Sequence, residues 1–194
     1  MSERFSERRF LNRIIISLLC LGLSLIIGFI IIFLVEYEST LMLLELLFAG
    51  IVGELVNPVV VFILGISLYT VAGPGIVIWL INTDPDLYFN ILGGVLLSSL
   101  VTWLIIGLLI GYITKNNLKA AFQGLLTINI CLVFTIIMEI VLMADTGLLF
   151  TGWAGLIVLA GVMLLTVTFS LISIVYCTIM AIIGGYIFER FSKP

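Results

Sequence analysis

The sequence predicts an all-α fold, a polytopic transmembrane bundle of about six helices. Three observations predict it: composition, the length of the apolar runs, and the placement of the cations. Hydrophobic residues make up 63% of the 194 residues and charged residues 10%, with a mean hydropathy of +1.40, whereas a soluble domain runs near half apolar and a quarter charged. A water-soluble fold of this size has too little interior to hide so much apolar surface. A helix needs about 20 apolar residues to cross the hydrocarbon core, so six crossings take about 120 residues and leave short loops. The chain therefore reads as a single transmembrane domain over residues 1–194.

Residues 1–13 carry Arg4, Arg8, Arg9 and Arg13 and form a cytoplasmic N-terminal segment ahead of span one, residues 14–35. No small-x-small cleavage site follows that run, which marks a retained helix and not a removable signal peptide. From residue 41 to 81 the chain is apolar for 41 residues, about twice the bilayer thickness at a rise of about 1.5 Å per residue. Asn57-Pro58 is the natural turn inside it, because Asn caps helices and Pro is tolerated at the first helical position. Span two then covers 40–56 and span three 58–81. Asp84-Pro85-Asp86 separates these from span four, 88–113, and Lys115 marks the loop before span five, 119–143. After Asp145 a long apolar run gives span six, 151–188, and a cytoplasmic tail, 189–194.

Lys and Arg are retained on the cytoplasmic side of a membrane. With six crossings all eight cationic residues lie on that side, and the outer loops hold only Glu36, Glu38, Asp84, Asp86 and Asp145. Five crossings would split the cations between the two sides. The expected location is the cell membrane, with both termini cytoplasmic and the lipid bilayer as the chain's partner. Tyr37, Trp79, Tyr88 and Trp153 fall at the outer interface and Tyr112 and Tyr186 at the inner one, as an aromatic belt requires.

Several chemistries are excluded by absent residues. The chain has no histidine, which removes histidine-ligated haem and copper and every imidazole acid/base mechanism. The three cysteines, Cys20, Cys131 and Cys177, lie singly in apolar runs, without the paired spacing of a metal site or disulfide framework. All three aspartates fall in loops, and the one lysine that touches a span, Lys119, is its first residue at the cytoplasmic surface, which excludes an aspartyl dyad in the membrane and a retinal attachment. No Gly-rich phosphate loop or Ser-His pair is present. No enzyme activity, no cofactor, no metal and no nucleic-acid partner is expected.

Small residues mark the helix faces. Gly107 and Gly111 end span four as Ala181, Gly184 and Gly185 end span six, each a small-xxx-small pattern that lets helix backbones approach. Thr166, Ser170, Ser173, Cys177, Ala181 and Gly184 recur at three or four residues, hence on one face, and Gly124, Thr127, Cys131 and Thr135 do the same in span five. Such stripes serve helix packing or line a polar path.

Glu45, Glu54 and Glu139 are the acids within the spans, and carboxylates at that depth are functional candidates. Glu54 lies close enough to the inner surface to snorkel to a cation. Glu45 sits near a helix N-terminus, where the dipole favours an anion, and Glu139 near a C-terminus, where the dipole disfavours it. Gly73-Pro74-Gly75 predicts that the third helix is kinked or broken, since Pro74 offers no backbone N–H. Glu45, Glu139, Gly73, Pro74, Gly75, Gly94 and Ser98 share a depth in the outer half and together outline an acidic, outward-facing pocket of the kind transporters build from broken helices. Two function classes follow: a small-solute or ion transport component using that pocket, or a non-catalytic structural, assembly or accessory subunit. The second would have other membrane subunits or further copies of itself as partners.

Overall fold

The computed structural model describes the backbone of residues 2–35, 58–83, 89–145, 147 and 151–191, and the side chains of 10–31, 62–79, 81–82, 95–145, 147 and 151–191. Within them are five helices: α1 (Ser2–Val35), α2 (Pro58–Thr83), α3 (Phe89–Thr114), α4 (Asn117–Asp145) and α5 (Trp153–Phe191). All five are long and apolar enough to cross a membrane, and no strand occurs among the described residues. The chain is a multi-pass helical membrane protein. Span two, 40–56, with Glu45 and Glu54, lies outside the described residues, so α2 to α5 correspond to expected spans three to six.

One helix boundary differs from the expectation. α1 runs back through the arginine-bearing stretch to Ser2, because residues 2–21 contain neither Gly nor Pro and nothing in them stops a helix. Of the kink or break expected at Pro74, a break does not occur. α2 stays helical from Pro58 to Thr83, straight through Pro74, for a reason given below. At the other ends the local chemistry is as the residues dictate. Pro58 opens α2 in the position where its missing N–H is not needed. Asn116 caps α4, its Oδ1 accepting the Lys119 N–H at 3.1 Å. Gly147, with φ +72°, closes the turn after α4 through its N–H to the Ala144 carbonyl at 3.1 Å.

Burial runs opposite to that of a soluble protein. The buried positions of α5 are Gly155, Thr166, Ser170, Ser173, Cys177, Ala181, Gly184 and Gly185, whereas Ile157 is 69% exposed and Leu164 68%. A helix that hides its small and hydroxylated side chains and presents its aliphatic ones is stable only if the surroundings are apolar, since lipid removes the cost of exposing Leu and Ile. At 39 residues, α5 is about 58 Å long against a hydrocarbon core of about 30 Å. It tilts strongly or reaches beyond the core.

α2 is the central helix. Every residue from 64 to 77 is buried, and α2 packs against each of the other four helices. Around it, α1 and α4 run in the same sense, as the pairs Arg13–Gln123, Ser17–Thr127 and Ser24–Cys131 show. α3 and α5 run side by side toward one end of the bundle, where Gly111 meets Gly184 and Gly185 and where Gly185 faces Asn116 and Asn117. Arg13, Lys115, Lys119 and Arg190 all stand at that end, called here the basic end. Asp145 ends α4, a helix of 29 residues, at the opposite end.

Candidate functional site: polar groups between the helices

Glu139 is 2% exposed. It lies on the buried face of α4, and the Thr166 hydroxyl of α5 donates to its Oε1. Its Oε2 is buried and has no hydrogen-bond partner among the described residues. A carboxylate oxygen removed from water with no donor is expensive, by several kcal/mol even on lenient scales. The arrangement is therefore half of a site: it calls for a proton, a cation or a water on Oε2. Thr166, expected only as a packing residue, is the partner that orients this acid.

A second polar junction joins α2, α3 and α5. Proline at position 74 cannot donate to the carbonyl four residues earlier, which belongs to Thr70, and that carbonyl would be orphaned in an apolar core. Two side chains of α3 supply the missing donors: Ser99 Oγ at 2.8 Å and Trp103 Nε1 at 2.7 Å from the Thr70 oxygen. Ser99 Oγ also lies 3.3 Å from Ser173 Oγ of α5. Pro74 does not break α2, because α3 completes its hydrogen bonding from outside. Proline in a membrane helix is tolerated on this condition. The sequence carried the signal, since a proline names its orphaned carbonyl by position, but not the identity of the donors.

Gly73 and Gly75 are contact points and do not line an opening. A Cβ on Gly73 would stand 3.1 Å from the Val95 carbonyl oxygen and 3.3 Å from Ser99 Cβ, and one on Gly75 would stand 2.5 Å from Phe169 Cα and from its carbonyl oxygen. Two residues apart on a helix is about 200° of rotation, so Gly73 admits α3 and Gly75 admits α5 on opposite sides of α2. Ser98, one position before the Thr70 donor Ser99, is fully buried, and its Oγ has no partner among the described residues; the same holds for Thr102 Oγ1 one turn later. Ser98 Oγ lies toward the region where α1 approaches: a Cβ on Gly28 would be 2.7 Å from Thr70 Oγ1 and 3.8 Å from Ser98 Oγ. Of the remaining expected pocket residues, Gly94 belongs to α3 outside the described side-chain positions, and Glu45 lies outside the described residues.

The structure thus separates the expected pocket into two places. Thr166 and Ser173 are seven residues apart on α5, about 10 Å along the axis, so Glu139 and the Thr70 junction stand roughly two turns from one another on the same polar stripe.

Among the described residues, the small-residue pairs at the ends of α3 and α5 are occupied within the chain. A Cβ on Gly107 would be 2.5 Å from Met180 Cβ and 3.0 Å from the Ala181 nitrogen, and one on Gly111 would fall on the Gly184 carbonyl carbon and the Gly185 nitrogen. Gly185 in turn sits 3.1 Å from Ala120 on the same measure. Cys20, Cys131 and Cys177, unrelated along the sequence, share one buried cluster with Trp103, Ile106 and Ile110, and all three are free thiols. Among the described residues no group of three acidic, cysteine or histidine side chains is arranged to hold a metal ion. A further buried group that sequence reasoning missed is Gln123, whose Nε2 donates to the Arg13 carbonyl at 3.0 Å and to Ser17 Oγ at 2.9 Å, tying α4 to α1.

Compared with protein-family models, with curated proteins and with solved structures, the chain matches none.

Proposed function

We propose that the chain is a membrane component of small-solute or ion transport in which Glu139 takes up and releases a proton or a monovalent cation. The observation that carries this reading is the half-satisfied carboxylate: Glu139 is buried between α4 and α5, held by Thr166 through one oxygen, and at the other has no partner among the described residues. A structural carboxylate in lipid is stable when both oxygens are paired, whereas a vacant oxygen gives an exchangeable ligand a reason to bind. The competing reading, a non-catalytic subunit docking through its small-residue stripes, loses support because Gly107, Gly111, Ala181, Gly184 and Gly185 are already spent on contacts within the chain.

The test is flux through the purified full chain in vesicles, read with an entrapped pH dye for protons and with labelled sodium uptake for a cation. Loss of a charged hydrogen-bonded partner is worth about 1.5–3 kcal/mol, so Glu139→Gln is expected to lower flux by about tenfold or more. Thr166→Val is expected to weaken it less, since it removes one donor and leaves the carboxylate. Wild-type flux no greater than that of empty vesicles for both ions overturns the reading, as does unchanged flux in Glu139→Gln.

In this reading the basic end faces the cytoplasm, because Arg13, Lys115, Lys119 and Arg190 would be retained there. With the native cysteines buried, single cysteines placed at Asn116 and Gly152 are expected to label from opposite sides of sealed vesicles. Labelling of both from one side sinks the orientation.

A further inference from the structure

Of the four described cations at the basic end, three lie over aromatic rings. The Arg13 guanidinium is 4.9 Å from the centre of Phe122, Lys115 Nζ is 6.0 Å from Tyr112, and the Arg190 guanidinium is 5.5 Å from Tyr186. Lys119 is exposed on the first turn of α4. The rings belong to an interfacial layer: Tyr112 is 53% exposed and packs edge-on against Phe188 at 5.0 Å, and the apolar span of α3 ends at Thr114, one residue before Lys115.

Lys115 carries the strongest sign that this arrangement is for something. Its φ is +45°, and no other non-glycine among the described residues has a positive φ. It occupies the position just past the end of α3, where its N–H bonds to the Gly111 carbonyl at 2.9 Å. Glycine or asparagine takes that left-handed position at least cost. A lysine there adds strain and gains nothing in packing, so its charge is the feature that distinguishes it.

We infer that the basic end is a collar for anionic phospholipid, with the headgroup phosphates of the bilayer's own lipids as the occupant and Lys115 as its most committed residue. Cations at headgroup depth attract anionic lipid. The aromatic rings beneath them hold the ammonium and guanidinium groups at that depth by cation–π attraction, with the aliphatic stems against apolar surface. The phosphodiester of an anionic lipid is an acceptor always present at this level.

The experiment uses the full chain in neutral detergent micelles doped with equal amounts of phosphatidylglycerol and phosphatidylcholine, and measures the lipid retained after gel filtration. Retained lipid is expected to favour phosphatidylglycerol by about threefold or more, falling toward parity in the triple variant Lys115→Gln, Lys119→Gln, Arg190→Gln and near 1 M salt, where the screening length drops to about 3 Å. Lys115→Gly separates lipid binding from folding. Glycine fits the left-handed backbone, so the thermal midpoint in pure detergent is kept or raised while the phosphatidylglycerol preference falls; Lys115→Arg keeps it. Equal retention of the two lipids by the wild type, an unchanged preference in the triple variant, or complete displacement of phosphatidylglycerol by millimolar inorganic phosphate overturns the inference.

Discussion

Gly111→Val is expected to abolish or nearly abolish the folded bundle. The position where its Cβ would stand is taken by the Gly184 carbonyl carbon and the Gly185 nitrogen, and these are backbone atoms of a neighbouring helix that no rotamer change can move. α3 would have to separate from α5 along the seam that also contains Gly107 against Met180 and Ala181. The same Gly184-Gly185 pair holds the start of α4, because Gly185 faces Asn116, Asn117 and Ala120, so one added side chain disturbs the meeting point of three helices. Overpacking a core commonly costs about 1–3 kcal/mol when side chains can adjust. With backbone on both sides the cost is expected to exceed about 3 kcal/mol, a large fraction of the 5–15 kcal/mol that typically separates folded from unfolded states. Gly111→Ala should show the same direction at smaller size, which covers the case in which the valine variant does not accumulate. Gly161 provides the contrast: nothing lies within 4 Å of its Cβ position, and Gly161→Ala is expected to be neutral or to stabilise by up to about 1 kcal/mol through helix propensity. Thermal midpoints in one detergent check the series. A midpoint for Gly111→Ala equal to that of Gly161→Ala would mean that the α3–α5 seam is not closed.

The features legible in the sequence are those that depend on one helix at a time. Hydropathy marks a membrane helix because lipid acts on each segment separately, and Pro58 marks the start of α2 because its ring decides that position locally. The buried stripe Thr166, Ser170, Ser173, Cys177, Ala181, Gly184 could be read from spacing alone, since a helix turns small residues at three and four onto one face whatever lies opposite. Partnership is the part that spacing cannot supply. Glu139 stood out as an acid at a costly depth, but Thr166 as its donor is a contact 27 residues away. Gly73 and Gly75 looked like the lining of an opening because glycine beside proline is compatible both with a broken helix and with a close crossing. Only the position of Val95 and Phe169 decides between them. The pairing of Glu45 with Glu139 in one pocket concerns a residue outside the described ones, and the acid that can be placed is the one beside Thr166.

Trp103→Phe is expected to destabilise the protein by about 2–3 kcal/mol, and the part of that loss that comes from the Thr70 carbonyl should disappear when Pro74 is replaced by Ala. Trp103 is fully buried, so the phenyl ring loses packing volume. Large-to-small core changes cost about 1–5 kcal/mol depending on how far the site can collapse. The indole N–H is also one of two donors on the Thr70 carbonyl. A carbonyl left short of donors in an apolar interior costs about 1–3 kcal/mol, which makes Ser99→Ala with Trp103→Phe the more damaging pair, since Ser99 Oγ is the other donor at 2.8 Å. Pro74→Ala puts an N–H back four residues after Thr70, where an ordinary α-helix would have it. In that background the carbonyl no longer depends on α3, and the double variant should retain only the packing part of its cost. The coupling between position 74 and the Ser99/Trp103 pair is therefore expected to be about 1–3 kcal/mol, in the sense that Pro74→Ala rescues. Chemical unfolding of the four combinations measures it. Additivity within about 0.5 kcal/mol would show that the two side chains stabilise α3 for some other reason. A rescue would establish that α2 remains a helix across its proline because a neighbouring helix provides what the proline removes.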